Sequence, residues 1–258
     1  MLIRLFFSFI LISSLMLNSS LAANLVTLDS PQGREYFDHS QAKVDFFSLA
    51  NNFVPQENKM YCGLASSAIV LNSLRLGNPN TNPLPLDNSL LSSKDQIYLP
   101  KGFNPIFERY TQNNLLNEKT KTKSQILGEP IIIKDKKISD YGLQLKQLAD
   151  VLSANGVNVK VRVADTKLSN KTIRDELVIN LQTAGDYVLI NYSRKILGQG
   201  DAGHISPLGA YDSESDSFLI MDVNPNTSKW YWVKLDDLIA SMRTFDVTEN
   251  RGYLLIKE

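Results

Sequence analysis

Between Met60 and Leu76 the apolar residues Leu64, Ala65, Ala68, Ile69, Leu71 and Leu74 return every three or four positions, which predicts a helix. A second helix-period stretch, Leu143 to Ala154, is closed by Asn155-Gly156, a good C-terminal cap. Val157 to Val163 alternates and is β-branched, so it predicts a strand. Ser169 or Asn170 caps a helix that runs to Gln182 and stops at Gly185, and the apolar run Tyr187 to Tyr192 predicts a buried strand. Gly203 to Tyr211 and Ser217 to Val223 read as strands joined by the polar turn Asp212 to Asp216. Trp230 to Leu235 is a further strand, Asp236 caps a short helix to Met242, and Tyr253 to Ile256 is the closing strand. Upstream, residues 24–55 alternate short apolar and polar pieces and end at Pro55, which holds its predecessor in an extended or turning conformation. Residues 77–104, rich in Gly, Pro and Asn, predict a long surface excursion. Ile126 to Ile133 is a strand candidate interrupted by Gly128 and Pro130, and the charged run Asn117 to Lys123 reads as a solvated face. A helix followed by mainly antiparallel strands with helices beside them is an α+β pattern, not a doubly wound parallel sheet.

The first residues follow a different pattern. Arg4 precedes an apolar run from Leu5 to Leu17, and small residues follow, ending in Leu21-Ala22-Ala23. This is the layout of a signal peptide over residues 1–23, with cleavage after Ala22 or Ala23. The run is short for a membrane span. The expectation is one domain, residues 24–258, secreted or periplasmic and free of the membrane after cleavage. Charge adds an exclusion: 27 Lys+Arg balance 27 Asp+Glu, without the basic excess that a nucleic-acid partner brings.

One cysteine stands in the whole chain. Exported proteins usually carry cysteines in pairs, so a lone thiol is either buried and inert or kept for its chemistry. Cys62 lies at the start of the first predicted helix, where unpaired N–H groups and the helix dipole favour thiolate over thiol. A thiolate nucleophile needs a base, and imidazole is the usual one. Of the two histidines, His39 lies in a polar stretch that reads as surface, whereas His204 opens a strand beside Gly203 and can face a cleft. The base needs an orienting group. In the hairpin after His204, Asp222 follows the apolar run Phe218 to Met221 and falls within a few residues of register with His204. Gln56, six residues before Cys62, is a candidate side-chain donor to an oxyanion; a loop glutamine is otherwise simply solvated.

Together, Gln56, Tyr61-Cys62-Gly63-Leu64-Ala65-Ser66, Val70-Leu71-Asn72-Ser73-Leu74, Gly203-His204-Ile205-Ser206-Pro207-Leu208 and Asp222 resemble the catalytic domain of phytochelatin synthases, most closely the short prokaryotic ones. Asn191-Tyr192-Ser193-Arg194-Lys195 and Gly198-Gln199 resemble it too, and the likeness runs from about Val44 to Ile256. It implies a papain-like cysteine-protease fold with its N-terminal helical part packed on an antiparallel sheet. It implies a Cys62, His204 and Asp222 triad with Gln56 at the oxyanion. The implied activity is that of a glutathione γ-glutamylcysteinyltransferase. Glycine is released from glutathione, and a γ-glutamylcysteinyl thioester passes to a second glutathione or to water. By position, Asn191, Arg194 and Arg251 are candidates to hold the substrate's polar ends, since guanidinium geometry suits carboxylates. No cofactor is implied for hydrolysis; cadmium or zinc enters as activator or as a glutathione complex. The implied partner is glutathione, with a homodimer also in view. A single cysteine leaves no cysteine-rich C-terminal part of the eukaryotic kind, so hydrolysis is expected at least as much as polymerisation.

Two other readings share these residues. A papain-like leader-peptide peptidase, of the kind fused to bacteriocin exporters, also places Gln six residues before Cys-Gly and pairs it with His and Asp. The arginines and the segment from Asn191 to Gln199 favour a small charged substrate instead. A non-catalytic periplasmic thiol or metal-binding protein is the third reading. One Cys and two His make a poor metal site, so no metal ligands are assigned.

Overall fold

The computed structural model describes residues 23–75, 84–226 and 229–258. The expected leader lies outside the described residues except for Ala23, as do Leu76 and the first part of the expected excursion. The chain is α+β. In order it forms β1 (Val26–Thr27), α1 (Pro31–His39), α2 (Phe46–Asn51), α3 (Cys62–Arg75), a short 3-10 turn (Asn88–Leu90), α4 (Ser93–Gln96), α5 (Lys123–Ile126), β2 (Ile131–Ile133) and β3 (Lys136–Ile138). There follow α6 (Leu145–Ala154), β4 (Asn158–Val163), α7 (Asn170–Gln182), β5 (Tyr187–Ser193), β6 (Gly203–Asp212), β7 (Ser217–Ile220), β8 (Tyr231–Lys234), α8 (Leu235–Met242) and β9 (Gly252–Lys257). Seven strands make one sheet in the order β1-β8-β7-β6-β5-β9-β4, every neighbouring pair antiparallel.

Alternation along the strands sends side chains to two cores. One face packs Leu189, Ile205, Leu219 and Leu254 against α3 and α6 through Leu64, Ala68, Leu148 and Leu152. The other packs Ile190, Phe218, Val233 and Tyr253 against α7 and α8 through Ile173, Leu177, Leu238 and Met242. Each fully buried Leu or Ile stabilises the fold by about 1.5–3 kcal/mol. Helix α3 is wrapped on all sides, and every residue from Cys62 to Ser73 is buried. Two of its buried serines find partners, Ser66 Oγ donating to Ile205 O (3.2 Å) and Ser73 Oγ to Ile69 O (2.8 Å) and Ser48 O (3.1 Å), whereas Ser67 Oγ has none among the described residues. Among the described residues no helix is long and apolar enough to cross a membrane.

Several boundaries depart from the sequence pattern. Helix α8 begins at Leu235 with Lys234 in the capping position, so Asp236 lies inside its first turn, where it meets the positive end of the helix dipole. Strand β7 ends at Ile220, although Met221 N–H still donates to Pro207 O (3.0 Å). The candidate strand Ile126 to Ile133 is two elements, the end of α5 and all of β2, separated where Gly128 takes φ +107°. Helices α1 and α2 and strand β1 fall in the stretch where no period could be read. Helix α1 is set by local chemistry, with Ser30 accepting from Gly33 N–H (3.0 Å) and Pro31 at its first position.

Candidate active site

Cys62 is the first residue of α3, and its thiol is buried. Gly63 lets this helix start lie close against two neighbours: a Cβ there would meet Leu143 Cδ1 at 3.0 Å and Ile205 Cδ1 at 3.3 Å. Ile205 stands on β6, and the residue before it is His204. The His204 ring is 5% exposed and meets the ring of Tyr192, its partner across to β5, edge to face at 5.7 Å. His204 Nε2 lies 2.8 Å from Asp222 Oδ1. Asp222 is two residues beyond β7 and buried; its register, continued from Leu208↔Ile220, sets it opposite Ser206 and diagonal to His204. Asn224 N–H donates to the same Oδ1 (2.8 Å), and Arg194 Nη2 donates to Oδ2.

The three groups shift one another. Burial alone pushes the Cys62 thiol up, but the hydrogen bond and charge of His204, with backbone bonds at Ile205 and Gly63, outweigh it and hold the thiol below its ordinary value. Burial pushes His204 down, and its bonds to Asp222 and Cys62 carry it above the ordinary imidazole value. Burial raises Asp222, and His204 and Arg194 bring it below the ordinary carboxylate value. Each shift is in the direction that favours a thiolate, an imidazolium and a carboxylate in a row. With Nε2 on Asp222, Nδ1 is the nitrogen left for the thiol.

Gln56 stands on the loop into α3, beside the Asp222 segment: Gln56 N–H donates to Val223 O (2.9 Å). Its Nε2 donates one N–H to Asn58 O (2.7 Å), and its buried Oε1 has no partner. The remaining polar candidates separate into two places. Arg194, at the end of β5, lies with Asp222. Asn191 and Arg251 instead meet on Asp246, a residue with no distinguishing sequence signal. Asn191 Nδ2 donates to Asp246 Oδ2 (3.2 Å) and Arg251 Nη2 to Asp246 Oδ1 (3.0 Å). Arg251 also bonds Thr244 Oγ1 (3.0 Å) and Phe245 O (2.7 Å). Its guanidinium lies over Gly203, where a Cβ would meet Nη2 at 3.0 Å, so this polar cluster adjoins His204. Arg251 and Asp246 side chains are 12% and 19% exposed, within reach of a ligand. Burial raises the Asp246 carboxyl above its ordinary value despite Arg251 and Asn191. His39 is at the surface, 3.4 Å from Glu214. Among the described residues no group of three or more His, Cys, Asp or Glu is placed to hold a metal ion.

A family model described as phytochelatin synthase matches residues 16–85 and 100–253. Among curated proteins, the chain is 26% identical over 237 residues to glutathione gamma-glutamylcysteinyltransferase 3 of Lotus japonicus, covering 89% of this chain and 41% of that protein. It is 25% identical to glutathione gamma-glutamylcysteinyltransferase of Schizosaccharomyces pombe, covering 90% and 49%. It is 26% identical to glutathione gamma-glutamylcysteinyltransferase 2 of Arabidopsis thaliana, covering 92% and 46%. The chain thus spans less than half the length of each of these relatives.

Proposed function

This chain belongs to the phytochelatin synthase family, and we propose that it acts on glutathione as a γ-glutamylcysteinyl transferase with Cys62 as its nucleophile. The observation that carries the proposal is the row Cys62, His204, Asp222, with the thiol depressed and the imidazole raised. A papain-like arrangement, with the nucleophile opening a helix and the base on the sheet, is the reading that suits these positions.

The Cys62 thiolate attacks the carbonyl carbon between cysteine and glycine of glutathione. Negative charge moves to the carbonyl oxygen, where the second N–H of Gln56 Nε2 and the N-terminal backbone of α3 supply donors. The His204 imidazolium gives its proton to the departing glycine nitrogen, the C–N bond breaks and a thioester remains. Neutral His204 then takes a proton from the amine of a second glutathione, or from water, as that group attacks. The C–S bond breaks and the thiolate returns. Asp222 holds the ring and favours its charged form, and Arg194 holds Asp222. A γ-glutamyl group carries an ammonium and a carboxylate on one carbon, and Asp246 and Arg251 offer the opposite charges side by side. Cadmium or zinc takes part as a thiolate complex of the substrate.

Mass spectrometry of the protein incubated with glutathione, with and without cadmium, tests this. Free glycine with γ-glutamylcysteine or longer γ-Glu-Cys chains is the expected result, and their ratio separates hydrolysis from transfer. No glycine under any condition overturns it. In the same reading residues 1–23 are a leader and the enzyme works outside the cytoplasm. N-terminal sequencing of exported protein should then begin at Ala23 or Asn24.

A further inference from the structure

The surface excursion returns to the fold at residues 110–114, where Asn113 Nδ2 donates to the Glu57 carboxylate (3.2 Å) at the surface and two further amide side chains fasten the backbone. Each bonds a backbone donor and a backbone acceptor, as a strand would. Asn72, in the last turns of α3, donates through Nδ2 to Tyr110 O (2.9 Å) and accepts from Tyr110 N–H (3.0 Å). Gln112, only 4% exposed, donates through Nε2 to Pro55 O (2.9 Å) and accepts from Glu57 N–H (2.9 Å). These two peptide groups flank Gln56 on either side. The loop carrying them contains no helix or strand. Its other long-range backbone bond is Gln56 N–H to Val223 O. A closed circuit results: α3 carries Cys62 at one end and Asn72 near the other, Asn72 holds Tyr110, and Gln112 holds the backbone around Gln56. From Gln56 the chain runs six residues back to Cys62.

We propose that Gln112 is a positioning residue that fixes Gln56 relative to Cys62, and so sets the side-chain donor of the oxyanion site. The proposal rests on the reading that Gln56 stabilises the tetrahedral intermediate. Misplacing a catalytic group by about 1 Å costs on the order of a hundredfold in rate, and removing one oxyanion donor costs about 10²–10³ in kcat. Gln112 touches no reacting atom, so its whole effect passes through Gln56.

A double-mutant cycle tests it. Gln112→Met should lower kcat for glycine release by about ten- to a hundredfold, a part of the loss for Gln56 itself, with KM for glutathione little changed. In a Gln56→Ala background the same substitution should change kcat less than about twofold, because the group it positions is gone. The rate at which iodoacetamide alkylates Cys62, and its pH dependence, should stay as in the wild type, since the thiol and His204 are untouched. Gln112→Glu is the conservative companion, for use if the Met variant does not fold. As a carboxylate it still accepts from Glu57 N–H but cannot donate to Pro55 O, and protonation restores the donor. Burial raises such a carboxyl above its ordinary value of about 4.3, so the variant's kcat relative to wild type should rise as pH falls toward that value. Equal losses in the two backgrounds, or a rise in KM at constant kcat, overturn the proposal. The cycle is repeated with the p-nitrophenolate burst from p-nitrophenyl acetate, an acyl donor that needs no glutathione contacts. A burst with the coupled pattern but no glycine from glutathione supports the Gln112 assignment and overturns the glutathione reading. No burst that depends on Cys62, with either acyl donor, overturns both.

Discussion

Arg194→Met separates two roles for the same guanidinium. As a substrate contact, Arg194 would touch the ligand and its loss would raise KM with the fold intact. The structure instead pairs it with Asp222, both side chains almost wholly buried. Asp222 accepts on one oxygen from His204 and Asn224, and on the other from Arg194. The substitution leaves that second oxygen buried without its cation. Breaking a buried pair by removing one partner costs about 3–5 kcal/mol. For a chain of this size each kcal/mol moves Tm by about 2–4 °C, so a fall of about 6–20 °C is expected at pH 7, read by calorimetry.

The pH dependence gives the sign. Asp222 is depressed in the folded protein, so its stabilisation is present above the unfolded value, about 3.9, and disappears as pH falls through the folded value. Arg194 is one of the causes of that depression. The Tm gap between wild type and Arg194→Met should therefore be widest near neutrality and close as pH drops below about 4. Turnover should fall mainly in kcat, because a loosened carboxylate holds His204 less well. An unchanged Tm with a large rise in KM would refute this reasoning and return Arg194 to the substrate.

Four other outcomes follow from the same structure. Iodoacetamide should alkylate Cys62 at pH values below the ordinary thiol value of about 8.5, and His204→Ala should remove that reactivity. Turnover should be bell-shaped, lost on the acid side as the thiolate takes up a proton and on the alkaline side as His204 gives its proton up. Asp246→Asn removes the charge opposite a γ-glutamyl ammonium and should lower kcat/KM by about 1.5–3 kcal/mol, on the order of ten- to a hundredfold, while alkylation of Cys62 stays as it was. Leu152→Ala, in the α6 core, should cost about 2–5 kcal/mol in urea unfolding with kcat/KM of the folded fraction unchanged.

What could be read from the chain alone was whatever local periodicity or a local oddity marks. Helices α3, α6 and α7 and the strands of the C-terminal half carry clear periods. The single cysteine, its place at a helix start and the hairpin after His204 directed attention to Cys62, His204 and Asp222. Helices α1 and α2 are different: Phe46 and Leu49 are buried, but the helices are too short to show a period. Gln112 gave no sign because its partners, Pro55 and Glu57, are remote, and Asp246 gave none because it joins the remote Asn191 to the nearby Arg251 in a stretch with no period to read. Arg194 and Arg251 looked equivalent as arginines near a candidate site; only the folded chain sends one to Asp222 and the other to Asp246.

The site also joins the two cores. Cys62 belongs to the helical core on one face of the sheet, with Leu64, Leu148 and Ile205. The His204 ring lies against Tyr192, which belongs to the core on the other face with Phe218 and Tyr253. A thiol and an imidazole from opposite faces can meet only at the end of a strand, and His204 is the second residue of β6. Sliding α3 along the sheet by a fraction of its 5.4 Å pitch would part them. Two contacts one residue from His204 resist that slide. Ile205 packs on Gly63, and Ile205 O accepts from Ser66 Oγ one turn further along α3. The apolar contact sets how close the layers come, and the directional bond sets where along its axis the helix stops. The register of α3 on β6 is thus part of the site, as much as the residues that would carry the chemistry.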